Sequence, residues 1–258
     1  MHGILALSSS FLLPASGCSD PGAPPVRDAS PGGGSVAIEV LEFEGVPAAG
    51  TLPLGWEPYA FRSIARPSIY TAGMEQGRPV LRGDSRAGAS ALRRRISIDA
   101  RQYPIIEWSW NVSGSIPGAD CTRKETDDCA ARILLLYRFE PERASLAERL
   151  EFESAKAARG EYPPCAMLVY AWMSSSAPVE AFPSPHSDRV RMIPVERGDA
   201  RAGTWVTERR DHLADFKKAF DENPPPIESI AFMVDTDDTG LEAMAWLESL
   251  RFIAPPRK

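Results

Sequence analysis

Residues 230–252 read IAFMVDTDDTGLEAMAWLESLRF, and this stretch decides the fold. An apolar run opens into an acidic, Thr-rich loop at residues 235–240, and a second apolar segment follows at residues 245–253. Apolar runs of this length, separated by a loop that ends in Gly, are typical of β-strands. The stretch therefore predicts two strands joined over a loop lined by carboxylates.

Further strand candidates extend along the chain. The strongest are residues 105–112 (IIEWSWNV), 131–139 (ARILLLYRF) and 166–173 (AMLVYAWM), whose aliphatic and aromatic content favours central strands. The 24 Pro and 19 Gly residues mark many turns and favour short strands. Roughly ten short strands without regular strand–helix alternation predict a mainly β fold, a two-sheet antiparallel jelly-roll-like β-sandwich.

Two segments have helical patterns, which adds one or two peripheral helices to the predicted sandwich. Residues 142–159 are rich in Ala, Glu, Leu, Lys and Arg, contain neither Gly nor Pro, and are followed by Gly. Residues 207–220 place Leu213, Phe216 and Phe220 on one helical face, and a run of three Pro residues follows shortly after.

The N-terminal region differs from the rest of the chain. Residues 4–13 are apolar but too few to span a bilayer, and small residues precede Cys18. This order resembles a bacterial lipoprotein signal, in which the Cys is acylated and becomes the new N-terminus. A Pro/Gly/Ser-rich stretch follows, with nothing to bury. The predicted organisation is a signal segment (1–18), a flexible tether (19–35) and a single sandwich domain (36–258).

Charge and the N-terminal signal together narrow the partners. The formal net charge is −6, so the chain lacks the basic surface that binds nucleic acid or anionic lipid. We therefore expect no nucleic-acid partner, and membrane contact only through the lipid on Cys18. The expected localisation is the cell envelope, at the periplasmic or outer-membrane face.

Three cysteines remain after Cys18. Cys121 and Cys129 bracket the segment TRKETDD, with no His near enough to complete a zinc site. In an exported chain, a disulfide between them is the favoured interpretation. Cys165 follows two Pro residues and begins an apolar run, so we expect it to be buried and unbonded.

Most enzyme signatures are absent from the sequence. It contains no GxGxxG after a strand, no P-loop, no HExxH and no GxSxG. Outside the signal segment, His186 and His212 are the only histidines, and we expect both to be solvated surface residues. Carboxylates such as Asp128, Asp235 and Asp237 could still serve a glycosidase-type hydrolase.

Four aromatic residues occur in pairs with the spacing of a strand face. Trp108 and Trp110 share one predicted strand, and Tyr170 and Trp172 share another. If these strands belong to one sheet, the rings could form a ligand-binding platform for sugars, whose C–H faces pack on aromatic rings. Packing in the core is the alternative, because large aromatic residues are usually buried.

The acidic loop offers hard oxygen ligands for a cation. Asp235, Asp237 and Asp238 could hold a structural Ca²⁺, although the ligand order of an EF-hand is absent. Asp127 and Asp128, between the two cysteines, are a second source of carboxylates. A solvated acidic loop is the alternative.

Six motifs, taken together and in order, carry a family resemblance. They are GWEPYAF (55–61), YPIIEWSWNV (103–112), DDCAARILLLYRF (127–139), LVYAWM (168–173), ERRDHLADFKKAF (208–220) and AFMVDTDDTG (231–240). Through them the chain resembles the bacterial domain of unknown function 3047, from about residue 41 to residue 252. The family has no assigned activity. Its pattern is similar to galactose-binding-like jelly rolls, and that resemblance implies a fold that often binds glycans and often holds a structural Ca²⁺.

Three functional hypotheses follow from these patterns. The first is a lipid-anchored envelope protein with a non-catalytic binding domain for a glycan or envelope polymer. The second is a carboxylate-dependent hydrolase of such a polymer, which would require two opposed carboxylates in a cleft. The third is a structural or assembly lipoprotein that binds another protein. Exposure of the four aromatic rings would separate the first hypothesis from the third.

Overall fold

The computed structural model describes residues 28–29, 36–43, 45–48, 50–61, 63–175 and 180–256. The predicted signal segment, with its lipidation site Cys18, lies outside the described residues, and so does most of the predicted tether. Two tether residues are described, because the backbone of Asp28–Ala29 pairs antiparallel with the strand that starts at Ala37. Neither helix in the described ranges has the length and apolar character that crossing a bilayer requires.

The described residues form fourteen strands and two α-helices. The helices are α1 (Leu146–Arg159) and α2 (His212–Phe220). In chain order the strands are β1 (Asp28–Ala29), β2 (Ala37–Leu41), β3 (Trp56–Ala60), β4 (Ile69–Glu75), β5 (Arg78–Arg86), β6 (Ala89–Ile98), β7 (Ile105–Val112), β8 (Ala131–Tyr137), β9 (Ala166–Met173), β10 (Phe182–Ser184), β11 (Ser187–Arg197), β12 (Val206–Asp211), β13 (Ile227–Asp235) and β14 (Glu242–Ile253).

The strands form two sheets that pack face to face. In the first sheet, β14 pairs with β7 along one edge and with β5 and β2 along the other, and β12, β4 and β1 complete the sheet. The second sheet has the order β10-β11-β9-β8-β13-β6-β3. The chain passes repeatedly from one sheet to the other, so the predicted mainly β, two-sheet, jelly-roll-like sandwich is confirmed. Among the described strand pairs, β9 with β11 is the one parallel pair.

The second sheet is apolar on both faces. Every residue of β8 and of β9 is buried, as expected for near-continuous apolar runs. Ile133 and Leu135 of β8 belong to the core between the sheets, whereas Leu134 and Leu136 belong to a separate apolar cluster. Side chains alternate between the faces of a strand, so this separate cluster lies on the outer face of the second sheet. Hence two apolar layers flank one sheet.

Both predicted helices are present but begin later than predicted. In α1, Ser145 and Glu148 form a capping box that fixes the start at Leu146 rather than at residue 142. The first half of the segment 207–220 is not helical, because Val206–Asp211 forms β12 and pairs with β7. Only the second half forms α2, whose buried ring of Phe216 packs 4.5 Å from that of Tyr137, between ring centroids.

Candidate functional site

The four aromatic residues of β7 and β9 lie in the core between the two sheets. All four are fully buried. Trp108 lies 5.2 Å from Tyr170, and Trp110 lies 5.7 Å from Trp172, between ring centroids. The predicted sugar platform formed by these rings is therefore wrong, because β7 and β9 belong to opposite sheets and their rings pack against each other. Core packing, the alternative left open by the sequence, is the observed arrangement.

The outer face of the second sheet instead carries an open cavity of about 280 Å³, here named the outer cleft. This volume lies near the lower end of the range for ligand pockets, roughly 300–1,000 Å³. The floor is aliphatic and rich in Met because β8, β9, β11 and β13 present apolar side chains on this face as well as in the core. The floor residues are Leu134, Met167, Val169, Val190, Met192 and Met233.

One end of the outer cleft is charged and centred on Arg132. Its side chain extends from β8 with 8% of its surface exposed. Its guanidinium pairs with both carboxylate oxygens of Asp235, with Nη2–Oδ2 at 2.6 Å and Nε–Oδ1 at 3.1 Å, and Nη2 lies 3.1 Å from Oδ1 of Asp127. Burial alone would lower the pKa of Arg132, but attraction to Asp127 and Asp235 raises it above its ordinary value. Arg132 therefore stays charged and holds two carboxylates at this end.

A third carboxylate, Asp128, connects the loop between the cysteines to the acidic loop. Its Oδ2 accepts a hydrogen bond from the Thr239 amide at 2.7 Å, and its Oδ1 accepts one from the Asp238 amide at 3.3 Å. Carboxylate oxygens of Asp128, Asp235 and Asp237 lie within 4.8 Å of one another. Asp127, Asp128, Asp235, Asp237 and Asp238 together form the carboxylate cluster.

Burial and mutual repulsion raise the pKa values of the outer members of the carboxylate cluster. Desolvation, followed by the charges of Asp237 and Asp128, raises the pKa of Asp238 to about 6. Desolvation and the charge of Asp128 also raise the pKa of Asp237. The cluster thus concentrates negative charge where solvent is partly excluded.

The two histidines do not have the solvated positions predicted for them. His186 follows β10 and lines the outer cleft with 17% of its side chain exposed, and its Nε2 lies 3.3 Å from Oδ2 of Asp127. His212 is fully buried at the start of α2, with Nε2 at 2.7 Å from the carbonyl oxygen of Tyr103. Burial lowers the pKa of His212 to about 4, so it is neutral at physiological pH. Of the two, only His186 belongs to the outer cleft.

Cys121 and Cys129 form a disulfide, as predicted. The bond closes the loop that carries Asp127 and Asp128, and Cys129 lies two residues before β8. It therefore ties two members of the carboxylate cluster to the second sheet. Cys165 is unbonded, as expected, but it is partly rather than fully buried.

The carboxylate cluster gathers the predicted calcium ligands at one end of the outer cleft. The tightest set is Asp128, Asp235 and Asp237, with Asp238 beside it. Arg132 already engages both oxygens of Asp235, and backbone amides engage both oxygens of Asp128. Ca²⁺ takes six to eight oxygen ligands, so most of its shell would come from Asp237, Asp238 and water. The residues fit a weak site, and Ca²⁺ binding stays a prediction.

The internal contacts of Asp128 and Asp235 also limit the hydrolase hypothesis. A general acid or base needs an oxygen that can reach the substrate. Both oxygens of Asp235 face Arg132, and both oxygens of Asp128 accept backbone hydrogen bonds. These two carboxylates are therefore committed to internal contacts, which leaves Asp237 and Asp238 as the members of the carboxylate cluster with oxygens free to reach a substrate.

Comparison with protein families identifies the domain. A family model described as "Protein of unknown function (DUF3047)" matches residues 54–251. The chain belongs to the DUF3047 family. The matched range begins just before β3 and ends within β14, so it includes the outer cleft and the carboxylate cluster of this DUF3047 domain. No curated protein matches the chain.

Solved structures with a similar shape share little sequence with the DUF3047 domain. A mutant family 29 carbohydrate-binding module complexed with mannohexaose has a TM-score of 0.35 and 12% identity, over 85% of this chain and 92% of that one. Endoglucanase 3 of family GH12 from Trichoderma harzianum has a TM-score of 0.38 and 9% identity, over 90% and 96%. The family 11 xylanase from Neocallimastix patriciarum has a TM-score of 0.35 and 9% identity, over 84% and 96%. These likenesses carry no activity or ligand over to this chain.

Sequence reasoning predicted the carboxylates at the charged end of the outer cleft, but neither Arg132 nor the Met-rich floor. It pointed to Asp127, Asp128 and the acidic loop, but not to Arg132, although a charged residue inside the apolar run ARILLLYRF was a usable signal. Such a residue must find a partner when the strand is buried on both faces. The Met-rich floor had no comparable signal, because Met and Val are equally suited to a core.

Proposed function

We propose that the protein is a non-catalytic binding domain held at the cell envelope by a lipid on Cys18, with a glycan or another envelope polymer as its ligand. The observation that carries the proposal is the outer cleft, an open cavity with an aliphatic floor and one charged end. Ligand sites commonly combine a mostly apolar lining with a few fixed polar groups. The ligand lies in this cleft.

The chemistry of the cleft suits part of a sugar chain. The C–H faces and any apolar substituents of the ligand pack on the floor, and its hydroxyl or amino groups donate to the carboxylate cluster. Arg132 and the disulfide hold these carboxylates in place before binding, so little ordering is required when the ligand arrives. Preorganisation of this kind raises the affinity for a ligand.

Two observations support the proposed location at the cell envelope. The disulfide is expected in an oxidising compartment, and the sequence before Cys18 resembles a lipoprotein signal. Mass spectrometry of membrane fractions from the native host is expected to find an acylated Cys18 at the N-terminus. A soluble protein that retains Met1 would contradict the anchor without affecting the cleft.

Cleft binding can be tested by obstructing the mouth of the cavity. Ser63 is exposed and lines the outer cleft, so Ser63→Trp places an indole there without altering the core. Thr207→Trp adds the same side chain at an exposed position of β12 in the first sheet and is the matched control. In affinity electrophoresis through purified envelope polysaccharides, we expect retardation of the wild type and of Thr207→Trp, and its loss in Ser63→Trp. Equal retardation of all three proteins, or of none, would contradict the proposal.

A further inference from the structure

A second, smaller hollow of about 70 Å³ lies beside the outer cleft, between α1 and the second sheet. We call it the α1 hollow. The two cavities share the lining residues Met167, His186 and Val190. The two neighbouring cavities, together named the groove, lie along the outer face of the second sheet, with the carboxylate cluster at one end and α1 at the other.

The α1 hollow is lined by a guanidinium with one unsatisfied donor. Arg159, in the last turn of α1, lines the hollow, and its Nε is buried without a hydrogen-bond partner among the described residues. The neighbouring Arg189 differs, because its Nη2 lies 3.2 Å from Glu151 and its guanidinium stacks 4.9 Å from the ring of Phe152. No ion pair among the described residues engages the guanidinium of Arg159, so its positive charge is available to an anion that enters the hollow.

The charge of the groove reverses along its length. At the outer cleft, the lining carboxylates of Asp127, Asp235, Asp237 and Asp238 outnumber the cations Lys124 and Arg132. At the α1 hollow, Arg159 and Arg189 outnumber Glu151. A ligand that spans both cavities is therefore oriented, with its anionic group at α1 and its hydrogen-bond donors at the carboxylate cluster.

We infer that the α1 hollow is an anion subsite, in which Arg159 binds a carboxylate or phosphate group of the ligand. Guanidinium groups favour both anions because two parallel N–H donors match two oxygens. Resting on the proposed function, this inference narrows the ligand class to an acidic glycan. The sources of the anion are a uronic acid or a phosphorylated sugar, and both present the same chemistry to Arg159.

The first experiment tests the subsite without any glycan, using inorganic phosphate. At constant ionic strength and pH, replacing chloride by phosphate is expected to raise the Tm of the wild type, and Arg159→Gln is expected to remove that rise. Arg149→Gln makes the same charge change at an exposed position of α1 and is expected to respond like the wild type. An equal phosphate response in wild type and Arg159→Gln, or none in the wild type, would overturn the subsite.

The second experiment identifies the anion. NMR titrations with glucose, glucuronate and glucose 6-phosphate compare one ring with no anion, a carboxylate and a phosphate. We expect at least one acidic sugar to bind the wild type about tenfold more tightly than glucose, and Arg159→Gln to abolish that preference, with partial retention in Arg159→Lys. Identical affinities for all three sugars in the wild type would refute an acidic glycan. Failure of the Ser63→Trp test alone would instead refute the glycan cleft, since the phosphate response is measured without sugar.

Discussion

Arg132 and Asp235 form a bidentate ion pair at the end of the outer cleft, with Nη2–Oδ2 at 2.6 Å and Nε–Oδ1 at 3.1 Å. Only 8% and 3% of the two side chains are exposed, so water screens the pair little. Removing one partner of such a pair leaves an uncompensated charge in the interior, which costs more than the pair itself contributes. The folded protein therefore depends on this ion pair to keep the buried carboxylates of the cluster compatible with a stable native state.

Arg132→Leu is expected to lower the free energy of unfolding by about 3–5 kcal/mol, measured by urea denaturation, because Asp235 and Asp127 remain buried without a cation. The double variant Arg132→Leu with Asp235→Leu is expected to be less destabilised than the single variant. Arg209→Leu is the control, since Arg209 pairs with Glu107 at the surface with 56% of its side chain exposed. We expect that change to cost less than about 1 kcal/mol. Similar losses of stability for Arg132→Leu and Arg209→Leu would show that the buried ion pair contributes no more to stability than a surface ion pair.

Replacing both Cys121 and Cys129 by Ser is expected to destabilise the fold by about 2–3 kcal/mol, because the open loop gains entropy in the unfolded chain. The loop carries Asp127 and Asp128, so glycan binding in the outer cleft is expected to weaken as well, whereas the phosphate response at Arg159 is expected to persist. Thermal unfolding with and without reducing agent supplies the measurement, and reductant is expected to shift the wild type but not the double variant. A wild type that is insensitive to complete reduction would contradict a structural role for the bond.

Calcium is expected to stabilise the native state weakly, through Asp237 with Asp238 and water. At a concentration about tenfold above Kd, binding contributes about 1.4 kcal/mol, equivalent to a rise in Tm of about 3–5 °C. Asp237→Asn is expected to remove the rise, and chelator is expected to reverse it in the wild type. Glu242→Gln, at an exposed position just after the acidic loop, is the control. If millimolar Ca²⁺ leaves the wild-type Tm unchanged, the calcium prediction is wrong and the acidic loop is a solvated one.

Stability is expected to depend on pH through Glu228 of β13. Burial, followed by the charge of Glu161, raises the pKa of Glu228 to about 7 from an ordinary value of 4.5. A carboxyl whose pKa is raised by folding favours the native state fully below pH 4.5, and this contribution is lost as pH rises through 7. The loss is on the order of 2 kcal/mol.

The test for Glu228 compares wild type with Glu228→Gln by denaturation between pH 5 and pH 8. The variant is expected to lack this part of the pH dependence and to exceed the wild type in stability at pH 8, because the amide is neutral throughout. Glu222→Gln, exposed and on the preceding loop, controls for net charge. Parallel pH profiles of stability for wild type and Glu228→Gln would show that Glu228 does not cause the pH dependence.

The sequence was sufficient for the sandwich because its strongest strands carry unambiguous apolar runs. β8 and β9 were predicted within two residues of their observed ends. The start of α2 was wrong because Thr207, Glu208 and Arg209 suit an exposed helix and an edge strand equally, and pairing with β7 decides between them. Local preference cannot anticipate such a tertiary contact.

The candidate site was less predictable because it depends on which sheet each strand joins. The rings of Trp108 and Tyr170 have the same spacing whether they share a sheet or face each other across the core. His186 looked solvated in its Pro- and Ser-rich loop, yet the fold brings it against Asp127, distant in sequence. Sequence spacing gives the face of a strand, whereas the partner of that face is a property of the whole fold.

The position of β14 has a consequence for how the chain is assembled during synthesis. Strands β2, β5 and β7 all pair with β14, which follows them in the chain and is the last of the described strands. Until residues 242–253 leave the ribosome, the first sheet has no central strand and three strand edges stay open to other chains. Most of this sheet is therefore expected to form only once residues 242–253 are free to pair, and a chain truncated before residue 242 is expected to aggregate or be degraded.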